Sequence, residues 1–191
     1  MLKLKADLFE YVQMCMRDGA VTVLLPMSPY KKRNGDAVMG AGVLRRFAER
    51  FPGAASVLGA QLPVWDDTDT SRNTFATGAI TNGATFAGVV VRSWLIQPRV
   101  GFASNVYPHL AERFGIDAST PDDDEADVPG WACRPWESAI RNSVPHIAQL
   151  RGRVVIPYPN LGGGMSNDAF NDAMGALSDN VTILTGAGGT T

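Results

Sequence analysis

The chain has 191 residues, of which 45% are hydrophobic, and its formal net charge is −2. This length and apolar content predict one compact domain with a substantial core. The small negative charge excludes a general basic surface, so duplex nucleic acid held through its phosphates is not an expected partner. The sequence contains no apolar run near the roughly 20 residues that span a membrane, and its first residues lack a signal-peptide core. We therefore expect no membrane partner and a cytoplasmic protein.

The first half of the chain predicts strands that alternate with helices. The predicted elements are an edge strand over 3–9, a helix over 10–17, a buried strand over 20–25 that Pro26 ends, and a helix over 43–51 that Pro52 and Gly53 stop. One or two central strands over 86–96 follow, because this stretch is rich in valine.

The second half of the chain continues the alternation. The predicted elements are a helix over 108–114 closed by Gly115, a helix over 136–150 with a kink or restart at Pro145, a strand over 153–156, a helix capped by Ser166, and a strand over 181–184. Strands alternating with helices are typical of an α/β fold.

Acidic residues and cysteines do not predict a metal site. Residues 122–125 are all acidic, but the polar stretch 117–130 lacks the glycine-directed turn of a calcium loop, so we interpret it as solvated. Cys15 and Cys133 are too few and too far apart for a zinc site or a disulfide framework, and each is interpreted as a buried thiol. We expect no metal ion and no cofactor.

Two glycine-rich turns, residues 39–42 and 160–165, each lie between an apolar strand-like run and a helix-like pattern. A turn from a strand into a helix directs free backbone N–H groups and the positive end of the helix dipole to one point. Glycine also lets a ligand approach the backbone closely. Two such turns suit a bound diphosphate, although each also occurs in proteins as a plain connection.

Three segments of the chain, in this order, resemble the macro domain family. They are Ala6-Asp7-Leu8-Phe9, the stretch 26–42 followed by Phe51-Pro52-Gly53, and the stretch 156–165. The branch they resemble holds phage and bacterial macro-domain-like proteins, ADP-ribose-1″-phosphate phosphatase and the terminal ADP-ribose glycohydrolase. The resemblance covers residues 1–53 and 153–185. It implies a single three-layer α/β/α domain over 1–191 with a central mixed sheet, a variable, partly acidic insertion around 60–135 and a flexible tail over 186–191.

The resemblance implies that the ligand is ADP-ribose or a derivative, with ADP-ribosylated macromolecules as further candidate partners. Asp7 matches the acid that accepts a hydrogen bond from the adenine amino group, with the backbone of Leu8 beside it. Ser28 stands where many relatives carry asparagine near the distal ribose, and it would reach the ligand through water. The residues matched to the two phosphate loops are Val38, Met39, Gly40, Ala41 and Gly42 in the first and Pro159, Asn160, Leu161, Gly162, Gly163, Gly164 and Met165 in the second.

Several of these residues also have plain structural interpretations. Asp7 can be a solvated charge or a helix cap, and Asn34, a candidate ligand contact, forms a turn signal with Gly35. His109 and His146 have no obvious partner and are interpreted as packed or surface residues. Four tryptophans are core or lid candidates, any of which could stack on adenine: Trp65, Trp94, Trp131 and Trp136.

Two departures from the family pattern bear on catalysis. Glycohydrolase members carry a lysine nucleophile in the helix after the first glycine loop, where this chain has no lysine over 47–51, and the acid of their second loop is absent here. Lysine attack on an anomeric carbon needs that amine and a group that moves protons. The main interpretation is an ADP-ribose-1″-phosphate phosphatase-like hydrolase that uses activated water; the alternative is a non-catalytic binding module or sensor, and a third option is a phage-type accessory protein that has lost the ligand. No catalytic residue is assigned.

Overall fold

The computed structural model describes residues 1–28, 31–32, 34–39, 42–62, 78–96, 137–159 and 165–186. The described helices and strands, in chain order, are β1 (Leu2–Lys5), α1 (Leu8–Cys15), β2 (Val21–Met27), α2 (Gly42–Arg50), α3 (Ala54–Gly59), β3 (Ala84–Phe86), β4 (Val89–Leu95), α4 (Glu137–Ala148), β5 (Arg153–Pro157), α5 (Asn167–Met174) and β6 (Val181–Thr185). None of these helices is long and apolar enough to cross a membrane.

The strands form one mixed sheet in the order β1-β6-β5-β2-β4-β3. The first five strands in this order are parallel to their neighbours, and β3 alone runs antiparallel, as a hairpin with β4. The hairpin turn at Ala87 and Gly88 has positive φ angles of 47° and 85°, which match the right-handed twist of paired strands. The α/β class predicted from the sequence is confirmed.

Both faces of the sheet are covered by helices. On the first face, α1, α2 and α3 pack against Val23, Leu25 and Met27 of β2. On the second face, α4 and α5 pack against strand residues that include Leu24 and Ile156. Neighbouring residues of β2 therefore enter opposite cores, which is why this strand carries apolar residues on both of its faces.

The chain start differs from the prediction of an edge strand over 3–9. β1 ends at Lys5, and α1 begins at Leu8, two residues before the predicted helix start. The cause is Asp7, whose side chain accepts hydrogen bonds from the N–H groups of Phe9 and Glu10 and caps the helix. The alternative interpretation of Asp7 as a helix cap is thus confirmed.

The strand predicted over 20–25 was placed too short at its carboxyl end. β2 includes Pro26 and ends at Met27. A proline removes one backbone donor and normally ends a central strand. Here the proline is tolerated because the ladder between β2 and β5 ends at Val23, before Pro26.

Most other predicted elements are confirmed. α2 matches the helix predicted over 43–51 but ends at Arg50, α4 continues through Pro145, and Ser166 caps α5 by accepting a hydrogen bond from Ala169 N–H. Residues 84–95, inside the range assigned to an insertion, form β3 and β4 of the sheet. The predicted helix over 108–114, the acidic stretch 117–130, Cys133 and the tail from 187 onward lie outside the described residues.

Candidate functional site

The carboxyl ends of five parallel strands lie along one edge of the sheet. The segments that leave this edge carry the described part of the predicted site: Asp7 and Leu8 follow β1, Ser28 follows β2, and Pro159 follows β5. Neighbouring strands are about 4.8 Å apart, so β1 and β2, separated by three spacings, lie about 14 Å apart. An extended ligand along this edge can therefore reach all three segments.

The backbone ladder between β2 and β5 ends before this edge. The ladder between them runs over Val21–Val23 and Arg153–Val155, starting at Val21↔Arg153 and ending at Val23↔Val155. Beyond that point β2 pairs only with β4, up to Met27↔Leu95, and β5 pairs only with β6. The two strand ends are thus not paired with each other over a stretch at the centre of the edge, which we call the gap.

Two prolines lie where β2 and β5 are not paired with each other. The carbonyl of Met27 accepts a hydrogen bond from the N–H of Ile96, the residue after β4 (3.2 Å). The N–H of Tyr158 donates to the carbonyl of Leu184 on β6 (2.9 Å). Successive residues of a strand turn their polar groups to opposite sides, so Pro26 and Pro157 turn their nitrogens toward the gap. Because proline has no N–H, neither strand leaves a donor unpaired there.

The chain reverses its winding direction at the same gap. After β2 the chain enters α2 and α3 on the first face, whereas after β5 it enters α5 on the second face. In open α/β sheets, ligands bind outside the carboxyl ends of the strands at such a reversal. The two glycine-rich turns predicted from the sequence belong to the two segments that leave this gap.

The first of these segments is partly described. Gly42 begins α2 with a φ of +55° and is exposed, and a Cβ placed on it would meet nothing within 4 Å. Met39 packs in the first core and Val38 is half-buried, so their side chains face the protein rather than open solvent. Gly40 and Ala41 lie outside the described residues.

Asn34 is part of a tight turn ahead of that loop. Its side-chain Nδ2 donates to Asp36 Oδ2 (2.8 Å) and its Oδ1 accepts from the Asp36 N–H (3.0 Å), while Gly35 has a φ of +88°. α3 supports the turn at close range, because a Cβ on Gly59 would lie 2.3 Å from the Gly35 oxygen. The turn interpretation of Asn34 is confirmed, and its contact with a ligand stays a prediction.

The second glycine-rich turn is closed at its base. The Tyr158 hydroxyl donates to Asn167 Oδ1 (2.5 Å), which joins the residue after β5 to the first turn of α5. The Tyr158 ring packs edge-on against Phe170 at 4.9 Å, and burial raises the pKa of its hydroxyl. Pro159 and Met165 are buried at the two ends of the turn. The predicted residues between them, Asn160, Leu161, Gly162, Gly163 and Gly164, lie outside the described residues.

Asp7 is held at three points. Its Oδ1 accepts from the N–H groups of Phe9 (2.9 Å) and Glu10 (3.3 Å), and its Oδ2 accepts from Nη2 of Arg46 on α2. Partial burial acts to raise the pKa of Asp7, but the hydrogen bonds from Arg46, Glu10 and Phe9 outweigh it, so the pKa lies below its ordinary value. Asp7 is therefore an ionised, oriented acceptor at neutral pH.

Leu8 adds a backbone donor beside this carboxylate, and Ser28 lies farther along the same edge. The Leu8 side chain is 2% exposed and packs in the first core, while its N–H, at the first position of α1, has no partner within the helix. That backbone donor lies one residue from the acceptor of Asp7. Ser28 is buried at the end of β2.

Arg46 is a residue that the sequence did not single out. Its pairing with Asp7 joins positions 39 residues apart, so no local spacing indicates it. The only sequence signal is that Arg46 lies on the polar face of a helix that follows a glycine-rich turn.

The remaining candidates do not join this site. Trp94 is fully buried in the second core, which excludes it as a stacking partner, and Trp65, Trp131, Trp136 and His109 lie outside the described residues. His146 is exposed on α4, in the last turn before β5, and therefore near the opposite edge of the sheet. No group of three His, Cys, Asp or Glu side chains suited to a metal ion occurs among the residues that the structure describes.

A cleft of about 320 Å³ lies at that opposite edge, lined by residues that include Cys15, Asp18, Arg153 and Asn180. Cys15 is a buried free thiol, as predicted. None of the predicted ligand residues lines this cleft. The cleft is therefore distinct from the proposed site at the carboxyl edge. Much of the two glycine-rich turns at the carboxyl edge lies outside the described residues.

No protein-family model, curated protein or solved structure matches the chain.

Proposed function

We propose that the protein binds ADP-ribose or a close derivative at the carboxyl edge of the sheet. The observation that carries this proposal is the gap between β2 and β5, from which the chain winds to opposite faces. Both segments that leave the gap contain a glycine-rich turn, and such turns suit anionic oxygens. A six-stranded mixed sheet between two layers of helices further supports assigning the fold as that of a macro domain.

The orientation of the ligand follows from the ends of the site. The base lies beside β1, where Asp7 offers an acceptor and Leu8 offers a backbone donor. The diphosphate lies over the gap, about 10–14 Å away along the strand ends. This span suits a ligand with a base at one end and phosphates in its middle.

Two alternatives share this ligand: a phosphatase-like hydrolase and a non-catalytic binding module. Removal of a 1″-phosphate by water needs a group that activates the water. Asp7 is already engaged by its cap and by Arg46, and His146 lies near the opposite edge, whereas Asp168 stands in the first turn of α5, directly after the second glycine-rich turn. No catalytic base is assigned, and a turnover assay decides between the two alternatives.

Calorimetry tests the ligand assignment directly. We expect ADP-ribose to bind with a micromolar dissociation constant, about −7 to −8 kcal/mol, since a few polar anchors and two backbone loops hold a small ligand. AMP should bind more weakly, because it lacks the second phosphate and the distal ribose. A binder of the native state must also raise the unfolding temperature. Absence of heat together with an unchanged unfolding temperature at millimolar ADP-ribose would contradict the assignment.

A turnover assay separates the enzymatic alternatives. We expect no release of ADP-ribose from modified glutamate or from DNA bases, since α2 carries no lysine that could form a Schiff base. The measurement is product release with and without borohydride, alongside phosphate release from ADP-ribose-1″-phosphate. A borohydride-trapped adduct would disprove the expectation. Phosphate release without trapping would instead identify a hydrolase that uses activated water.

A further inference from the structure

The Asp7–Arg46 pair lies between the proposed base site and the first glycine-rich turn. Arg46 is in the second turn of α2, the helix that begins at Gly42, and long helical side chains point back toward the helix start. The Asp7 side chain is 27% exposed and that of Arg46 is 38% exposed, so the pair is partly shielded but reachable from solvent.

The Arg46 guanidinium is itself held in place. It lies over the ring of Phe9, 5.5 Å from the centroid, and Arg50 lies 5.1 Å from the same ring. Phe9 in turn contacts Phe47 and Phe51, which belong to the aromatic packing beneath α2. A guanidinium supported by an aromatic face loses little freedom when it binds a carboxylate.

We propose that Arg46 is a positioning residue for base recognition, which keeps Asp7 oriented and ionised so that the site accepts a 6-amino purine and rejects a 6-oxo purine. This inference rests on the proposed function. An ionised carboxylate can only accept hydrogen bonds, whereas a protonated one can also donate. An acceptor-only Asp7 pairs with an exocyclic amino group and opposes a carbonyl oxygen.

The surroundings of Asp7 single out Arg46 among the nearby charges. The other charged groups around it are Glu10 on α1, Arg50 on α2 and Lys5 at the end of β1. Of the cations, only Arg46 donates a hydrogen bond to the Asp7 carboxylate among the described contacts. Removing Arg46 should therefore let Asp7 take up a proton at a higher pH than in the wild type.

The experiment compares Arg46→Gln with Arg45→Gln, a matched control on the same helix. Arg45 pairs with Glu49 on the exposed face and does not contact Asp7. Dissociation constants for ADP-ribose and for its hypoxanthine analogue are measured at neutral pH and at about pH 5, above the ordinary aspartate pKa. We expect the preference for adenine at the lower pH to fall about three- to tenfold in Arg46→Gln and to stay unchanged in Arg45→Gln.

Two further measurements keep the inference distinct from the proposed function. The Asp7 carboxyl carbon is titrated by NMR without ligand, and we expect its pKa to rise in Arg46→Gln and to be partly restored in Arg46→Lys. If the wild type binds no ADP-ribose, the proposed function fails whatever the titration shows. If the wild type binds but Arg46→Gln keeps the wild-type base preference and the wild-type titration, Arg46 only stabilises the fold and the inference is wrong.

Discussion

Replacement of Gly42 by valine is expected to lower ADP-ribose affinity by about a hundredfold or more, which corresponds to roughly 2.7 kcal/mol. A Cβ at Gly42 would meet none of the described atoms within 4 Å, so among the described residues nothing fills the space that the new side chain would enter at the start of α2. Under the proposed function that space belongs to the diphosphate, and a branched side chain would fill it. The measurement is titration calorimetry with ADP-ribose.

Gly53→Val is the control for this variant. Gly53 also has a positive φ, +86°, and also has nothing within 4 Å of a built Cβ, but it lies past the far end of α2. Both variants should lose stability, by about 1–2 kcal/mol, because valine is strained at positive φ. Only Gly42→Val should lose the ligand. Equal affinities in the two variants would show that the start of α2 does not contact ADP-ribose.

Replacement of Asp7 by alanine is expected to weaken ADP-ribose binding about ten- to a hundredfold, since a hydrogen bond to a charged acceptor contributes about 1.5–3 kcal/mol. The same change removes the cap of α1 and should lower the free energy of unfolding by about 1 kcal/mol. Calorimetry and denaturant unfolding measure the two effects separately.

Asp7→Asn distinguishes base recognition from capping. Asparagine caps helices as well as aspartate does, so α1 should keep its start. The amide oxygen still accepts one hydrogen bond, but the charge opposite Arg46 is lost, so affinity should fall less than in Asp7→Ala. The hypoxanthine analogue adds a direct check. If the wild type binds adenine and hypoxanthine forms equally well, Asp7 does not recognise the base.

Local sequence signals were enough where a helix or strand is specified by its own residues. The spacing of Leu44 and Phe47 on one face of a helix predicted α2. Ser166 predicted the start of α5, because a serine oxygen can accept a hydrogen bond from a backbone N–H in the first turn of a helix. The apolar runs of β4, β5 and β6 predicted buried strands, because these residues alone indicate burial. The α/β class followed from their alternation.

Proline in β2 shows where local reasoning failed. Pro26 predicted a strand end, because a central strand needs a donor on both sides. Whether that donor is needed depends on a neighbour more than 120 residues away in sequence, and here the ladder between β2 and β5 has already ended. The gap likewise depends on how β2 and β5 pair, which the sequence of either strand alone does not show.

The sequence by itself determined the α/β class, most helix and strand positions, the two glycine-rich turns and Asp7 as a candidate, since these depend on composition and short-range spacing. Only the tertiary structure decided the strand order, the gap between β2 and β5, the burial of Trp94 and the pairing of Asp7 with Arg46. These features join residues that are distant in the chain. Contacts between residues far apart in sequence form only when the strands have taken their places in the sheet and helices cover both of its faces. No local pattern specifies such contacts.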